Sequence, residues 1–250
     1  MKIYSQAQAQ GHREYQEDTF GIEEFYTGTL VWVADGHGGD AASKEIKNWI
    51  HQKWILHDNP NPETQIRELY HSLDLQTCEM EAGTTLSLIY LPKSAPLIFV
   101  AVLGDSPVIV KSGNEIFIGP DHNARSNPEE REDAVMRGAI YQGGYVCQPL
   151  HTGMYPDDYS PGLQMTRALG DTNLKFLSHE PEIRSLPFGE YGDWALVASD
   201  GVLDPSHHNI SEGDVIAGLI DAGAEAPELV TRATRTPTND NATAILVRVS

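Results

Sequence analysis

Short apolar runs recur along the chain, each bounded by Gly, Asp, Asn or Pro. Thr29–Ala34, Thr84–Leu91, Leu97–Leu103, Val108–Lys111, Glu115–Ile118, Trp194–Ala198 and Ala242–Val249 are rich in Val, Ile and Leu and predict strands. Val108–Ile118 predicts a hairpin turning at Ser112-Gly113-Asn114. Between the early strands the spacing becomes helical. Ala42, Ile46, Trp49, Ile50 and Trp54 share one face, and Ile66, Leu69, Tyr70 and Leu73 share another that opens near Pro62 and Glu63. Val215, Ile216, Leu219 and Ile220 predict a third helix, and Ala226–Arg235 a fourth with Pro227 in its first turn. Strands in succession, interrupted by helix pairs, predict an α+β fold with mostly antiparallel sheets and helices packed outside them. Residues 138–162, rich in Gly, Pro and Tyr, follow neither period and predict a long surface excursion beside a single domain spanning 1–250.

Composition adds a soluble chain with a sizeable core, at 40% hydrophobic and 21% charged residues. Charge changes the picture more. Against 17 Lys and Arg stand 36 Asp and Glu, a net charge of −19. Such a field repels nucleic acid and anionic membranes, so neither is expected as a partner. Cys78 and Cys147 lie far apart in no metal-ligand spacing, which fits a reducing compartment. No signal-like or membrane-spanning apolar stretch occurs, so the expected location is cytoplasmic; a monomer is the default expectation, on which the sequence is silent. Asn209-Ile210-Ser211 and Asn241-Ala242-Thr243 match a glycosylation sequon that means little without secretion.

Some of the excess acid sits where chemistry is done. Asp35, Asp105 and Asp200 follow apolar strands directly or after one Gly or Ser, and Glu17-Asp18 and Asp240 sit in similar short segments. A carboxylate there emerges at the rim of a sheet, and several rims can converge on one cleft. Unneutralised, such carboxylates repel one another; a hard divalent cation, which wants oxygen ligands, resolves the repulsion. Any one of them alone is an ordinary turn or capping residue, so the weight lies in their joint occurrence and order.

Asp35-Gly36-His37-Gly38-Gly39, Gly83-Thr84-Thr85, Gly104-Asp105-Ser106, Asp121-His122, Arg167-Ala168-Leu169-Gly170-Asp171, Ser199-Asp200-Gly201 and Asp240-Asn241 together resemble the ordered signature of the type 2C metal-dependent protein Ser/Thr phosphatases. The resemblance runs from about Gly11 to Val249. It implies a four-layer α-β-β-α sandwich, two central sheets flanked by helix pairs, and a phosphoprotein substrate. It implies two Mg²⁺ or Mn²⁺ ions, with Asp35 bridging them. Asp200 and Asp240 would complete one site, the Gly36 carbonyl and Glu17 the other, and Asp18 would lie in or just behind the inner shell. Asp105, with Asp200, would hold a third, weaker ion. Two cations can carry a bridging water with a lowered pKa that attacks phosphorus in line. Arg13 would grip the phosphoryl oxygens with its planar fork, and His37 would protonate the leaving alkoxide.

Arg167 and Asp171 would pair beneath the site, Gly83 would let a strand pack closely, and residues 138–162 would form a flap. His12, His122, His151, His179, His207 and His208 lack metal spacing and are expected in turns or at the surface. Pro107 stands where the family usually has Arg after Gly-Asp-Ser, and it removes a charge and a backbone donor at the third ion's corner. Ala82 replaces the usual Ser before Gly-Thr-Thr. Two other readings of the same residues are a metal-binding module without turnover and a phosphatase of small phosphate esters.

Overall fold

The computed structural model describes residues 1–57, 59–149, 162–206, 212–236 and 240–250. In chain order the early elements are β1 (Lys2–Ala9), β2 (Thr19–Glu24), β3 (Gly28–Ala34), β4 (Gly36–His37), α1 (Ala41–Leu56), α2 (Pro62–Thr77), β5 (Gly83–Thr84), β6 (Leu86–Pro92) and β7 (Leu97–Leu103). There follow β8 (Val108–Ser112), β9 (Glu115–Gly119), α3 (Pro128–Met136), β10 (Ile140–Gln142), β11 (Tyr145–Cys147), β12 (Leu169–Gly170) and β13 (Glu182–Pro187). The chain ends with β14 (Trp194–Ala198), α4 (Asp200–Leu203), α5 (Gly213–Asp221), α6 (Ala226–Ala233) and β15 (Ala242–Val249).

Two five-stranded sheets dominate, in the orders β1-β15-β14-β8-β9 and β13-β7-β6-β3-β2, and every neighbouring pair in them is antiparallel. Their facing sides meet in one apolar cluster. Val31, Val33, Ile89, Val100 and Val102 of the second sheet pack with Val108, Val110, Val197, Ile245 and Val247 of the first. The reverse face of the second sheet buries Leu30, Trp32, Leu88 and Ala101 against Ile46, Ile50 and Trp54 of α1 and Ile66, Leu69 and Leu73 of α2. The reverse face of the first buries Trp194, Leu196, Ala244 and Leu246 against Ile216 and Ile220 of α5 and Leu229 and Val230 of α6. Strands buried on both faces need continuous apolar runs, which is why β3 and β6 are buried at every position. Tyr70 on α2 donates to Leu86 O at 2.8 Å and Ala101 O at 3.2 Å, so even the polar tip of that helix face is bound to the sheet.

The structure differs from the sequence expectation in several places. The run Thr84–Leu91 is broken at Thr85, whose N–H donates to Asp35 O at 2.9 Å instead of continuing one ladder. Val215, expected on the inner face of α5, is exposed, and Ile216, Ala217 and Ile220 do the packing. The excursion over 138–162 is not wholly irregular. Ile140–Gln142 and Tyr145–Cys147 form an antiparallel hairpin, closed by Gly143 and Gly144 at φ 60° and 93°. Two consecutive positive φ values are what a type I′ turn asks for, and glycine supplies both. Tyr155, Tyr159, His151, His207, His208 and the Asn209 sequon lie outside the described residues. Among the described residues no helix is long and apolar enough to cross a membrane.

Candidate active site

The acidic segments come together where strands of both sheets end. β3 delivers Asp35, β7 delivers Asp105 through Gly104, β14 delivers Asp200 through Ser199, and Asp240 precedes β15. Glu17, Asp35, Gly36, His37, Asp105, Asp200 and Asp240 line one open cleft of about 730 Å³ with Arg13. Asp18 lies behind this surface, 4% exposed. Its Oδ2 accepts from Thr243 Oγ1 at 2.7 Å, and its main-chain carbonyl accepts from Gln8 Nε2 at 3.1 Å.

Local bonds explain why the loops hold this shape. The carbonyl of Asp35 accepts from Thr85 N at 2.9 Å and Thr84 Oγ1 at 3.0 Å, and Asp35 N donates to Thr85 Oγ1 at 3.2 Å. Gly-Thr-Thr therefore clamps the backbone at Asp35. Glu17 Oε1 accepts from Gly39 N at 2.6 Å, tying the first acidic segment to the Asp-Gly-His-Gly-Gly loop. Asn241 is a second clasp. Its Oδ1 accepts from Glu17 N at 2.7 Å, and its Nδ2 donates to Gln10 O at 2.8 Å and Tyr15 O at 2.9 Å. A methyl group on Gly201 would overlap Asn241 O, well inside the 3.0 Å that Cβ atoms keep, so only glycine lets the Asp200 and Asp240 loops touch.

Electrostatics set these carboxylates apart from the other acids. Burial raises Asp18 to about 6, Asp200 to about 7 and Asp105 to about 8, each helped by a neighbouring carboxylate. Burial likewise pushes Asp35 well above the usual range, reinforced by Asp18, Asp200, Asp240 and Asp105. Asp18 Oδ1 and Asp105 Oδ1 are buried without any partner. Among the described residues no three acidic, His or Cys side chains close around one point at ligand distances. An all-oxygen donor set with orphaned buried oxygens and mutual repulsion fits a hard divalent cation such as Mg²⁺ or Mn²⁺, and it fits a thiophilic metal poorly.

The other predicted residues fall as follows. The Arg13 side chain is half-exposed at the cleft and pairs with Asp240. His37 lines the cleft, but its Nε2 bonds Asp171 Oδ2 at 2.7 Å and its Nδ1 is buried without a partner. Asp171 holds this bond from a left-handed backbone, φ 53°, the one such non-glycine position among the described residues. Arg167 does not pair with Asp171. It forms a two-pronged ion pair with buried Glu130 of α3, with Nε 3.0 Å from Oε2, and donates to Glu180 O at 2.9 Å. His122, expected at a turn or the surface, is 1% exposed with Nδ1 about 3 Å from the Gly104 backbone, and burial lowers it to about 4. Tyr145, a tyrosine of the expected flap, makes the cleft's apolar wall with Leu163 and Met165. Two contributors were not singled out from the sequence: Asn241, which stood in a quoted motif, and Asn123, which donates to Asp105 and which nothing in the spacing marked.

Comparison with known proteins gives a consistent result. A family model described as Protein phosphatase 2C matches residues 23–236. The chain is 30% identical to probable protein phosphatase 2C 59 of Arabidopsis thaliana, covering 98% of this chain and 79% of that protein. It is 28% identical to probable protein phosphatase 2C 45 of Oryza sativa subsp. japonica, covering 98% and 86%. Among solved structures, serine-threonine phosphatase 2C from Toxoplasma gondii superposes with a TM-score of 0.72 at 21% identity, over 99% of this chain and 94% of that one. The S. agalactiae serine/threonine phosphatase gives 0.71 at 20% identity over 100% of both chains. At those identities the likeness is one of fold.

Proposed function

The chain belongs to the protein phosphatase 2C family, and on that premise we propose that it is a divalent-cation-dependent phosphatase acting on phosphoserine and phosphothreonine of proteins. The observation that carries this reading is the meeting of Asp35, Asp105, Asp200 and Asp240 with Arg13 in one cleft, with Asp18 buried behind them. That many carboxylates in one cleft repel a phosphate ester unless their charge is reversed by cations.

Asp35 would be shared by two Mg²⁺ or Mn²⁺ ions, with Asp200 and Asp240 serving one and the Gly36 carbonyl and Glu17 the other. A third, weaker ion would be held by Asp105 and Asp200. Bound there, the cations supply Lewis-acid activation of a water nucleophile and neutralise charge on the phosphoryl oxygens. The chain's own residues orient the ester. One guanidinium nitrogen of Arg13 engages Asp240, which leaves the rest of the fork for the phosphoryl group. Tyr145, Leu163 and Met165 offer an apolar wall to the part of the substrate next to the phosphorylated residue. His37 is the proposed proton donor to the leaving oxygen. Because its Nε2 is bonded to Asp171 and its Nδ1 is covered, the ring has to turn before it can deliver that proton.

The test is hydrolysis of a phosphothreonine peptide and of an aryl phosphate with Mn²⁺, with Mg²⁺ and with chelator, for wild type and Asp200→Asn. Cation-dependent turnover that falls at least about a hundredfold in Asp200→Asn is the expected result. Cation binding without turnover on either substrate would instead make the chain a binding module. Turnover of the aryl phosphate alone would point to a small-molecule phosphatase.

A further inference from the structure

Asn123 lies between β9 and α3, in the segment that begins with Asp121 and His122, and it is 8% exposed. Its amide can point only one way. Oδ1 accepts the Arg125 backbone N–H at 2.9 Å. A backbone N–H can only donate, so the atom facing it must be oxygen, and the nitrogen must face the other side. On that side is Asp105, whose Oδ2 accepts from Asn123 Nδ2 at 3.1 Å. Asn123's own N–H donates to Asp121 Oδ1 at 3.0 Å, so all three of its polar groups near the site are committed.

The segment carrying this amide is itself held to the strand end it serves. His122 N donates to Gly104 O at 3.1 Å, and Thr166 N donates to His122 O at 2.9 Å. Met165 forms a β-bridge with Asn123, and Ala124 N donates to Gln164 O at 2.7 Å. Asp105 is thus gripped at its neighbouring backbone and at one carboxylate oxygen. The other oxygen, Oδ1, is buried with no protein partner. Asp105 and Asp200 together line both the main cleft and a neighbouring cavity of about 370 Å³.

A neutral amide in this place does what a Lys or Arg could not. It orients the carboxylate with a hydrogen bond while leaving its negative charge available to a cation. Pro107, two residues after Asp105, brings no side-chain donor, and among the described residues Asn123 is the one side-chain donor to Asp105.

We propose that Asn123 is a positioning residue for Asp105, holding one carboxylate oxygen so that the other faces the cation shared with Asp200. The inference rests on the cation-dependent reading of the site. It does not make Asn123 a ligand.

Mn²⁺ titration calorimetry on the full chain tests it, with Asn123→Ser, Asn123→Ala, Asp105→Asn and the combination of Asn123→Ser with Asp105→Asn. Serine can still accept the Arg125 N–H in a turn of the same kind, but its hydroxyl is too short to reach Asp105. Both Asn123 substitutions are expected to weaken one Mn²⁺-binding step by about ten- to a hundredfold while leaving the tighter steps within about twofold. In the Asp105→Asn background, Asn123→Ser should change that step by less than about twofold, because the partner it acts through is gone. Wild-type binding by Asn123→Ser would show that only the turn matters and would overturn the inference. So would equal losses in both backgrounds, or uniform weakening of every step. A wild-type protein that binds no Mn²⁺ would overturn the cation reading itself, and this inference with it.

Discussion

Gly83→Ala isolates the contact between the two most specific sequence motifs. Gly83 lies in β5, opposite His37 in β4 and Gly170 in β12. A methyl group built there would overlap Asp171 Oδ2 and His37 Nε2, well inside the 3.0 Å that real Cβ atoms keep. Neither atom is the free end of a long side chain. Asp171 is 7% exposed and His37 is pinned by the same 2.7 Å bond, so the added carbon must drive the pair apart. Two costs follow. The hydrogen bond to a charged group goes, at about 1.5–3 kcal/mol, and an extra carbon is forced into a packed site, at about 1–3 kcal/mol. The expected destabilisation is therefore about 2.5–6 kcal/mol. For a chain of this size that is a fall in Tm of about 5–24 °C, at roughly 2–4 °C per kcal/mol.

Differential scanning calorimetry of Gly83→Ala beside Asp171→Asn separates the two costs. The asparagine keeps the shape and loses the charge, so it should cost only about 1–2 kcal/mol. Gly83→Ala within about 2 °C of wild type would mean that His37 and Asp171 are not packed as described, and the reasoning would fail. Activity adds a separate reading. If His37 protonates the leaving oxygen after turning from Asp171, His37→Gln should lower kcat for an alkyl phosphate by about 10²-fold, the scale of lost proton transfer. An aryl phosphate leaves without that proton and should lose little.

Stability should depend on pH in a sense opposite to that of most acidic proteins once cations are removed. Asp18, Asp200 and Asp105 are raised to about 6, 7 and 8, so the folded chain keeps protons that the unfolded chain has lost. In chelator, Tm should therefore be highest near pH 4 and fall as pH rises toward 8. Mg²⁺ at a hundredfold over its Kd should restore about 2.7 kcal/mol, and a chelated Tm that stays flat or climbs over this window would count against the carboxylate cluster. The surface charge of −19 should make kcat/KM larger for phosphopeptides in a basic context than in an acidic one, with the advantage shrinking in high salt. Equal values at low salt would remove that preference.

What the sequence revealed and what it hid follow from how local each interaction is. Most of the seven apolar runs were legible because strands buried on both faces have no polar positions to confuse the period; the largely exposed Glu115–Ile118 was legible through the Ser112-Gly113-Asn114 turn before it. β1, β2 and β13 were not, since KIYSQAQA, TFGIEE and EIRSLP mix Gln, Ser, Glu and Arg into strands that are only partly buried. Helix α3 escaped for the same reason. Glu130 and Ala134 are its only buried residues, although Asn127-Pro128 at its start was a readable cap. The motif acids were legible through their order and their place at strand ends. Their partners were not, because Arg167 meets Glu130 and Asp171 meets His37 through tertiary packing, the latter across 134 residues of sequence. A left-handed φ at Asp171 leaves no mark in the residue type.

The site also has a consequence for what holds the molecule together. Asp35 and Asp105 come from one sheet, Asp200 and Asp240 from the other. Repulsion among these four acids acts across the interface between the sheets, against the valines and isoleucines packed there. Neutral bonds already cross the same line. Gln8 and Thr243 of the first sheet hold Asp18, which leads into β2 of the second, and Asn241 holds the loop from Gln10 to Glu17. Cations bound among the acids would turn the one repulsive element of the interface into an attractive one. Cation affinity and the adhesion of the two sheets are then parts of a single free energy. A substitution that loosens the sheet interface away from the cleft, such as Val247→Ala near the far end of β15, should weaken divalent-cation binding as well as stability. One that only trims an exposed loop should do neither.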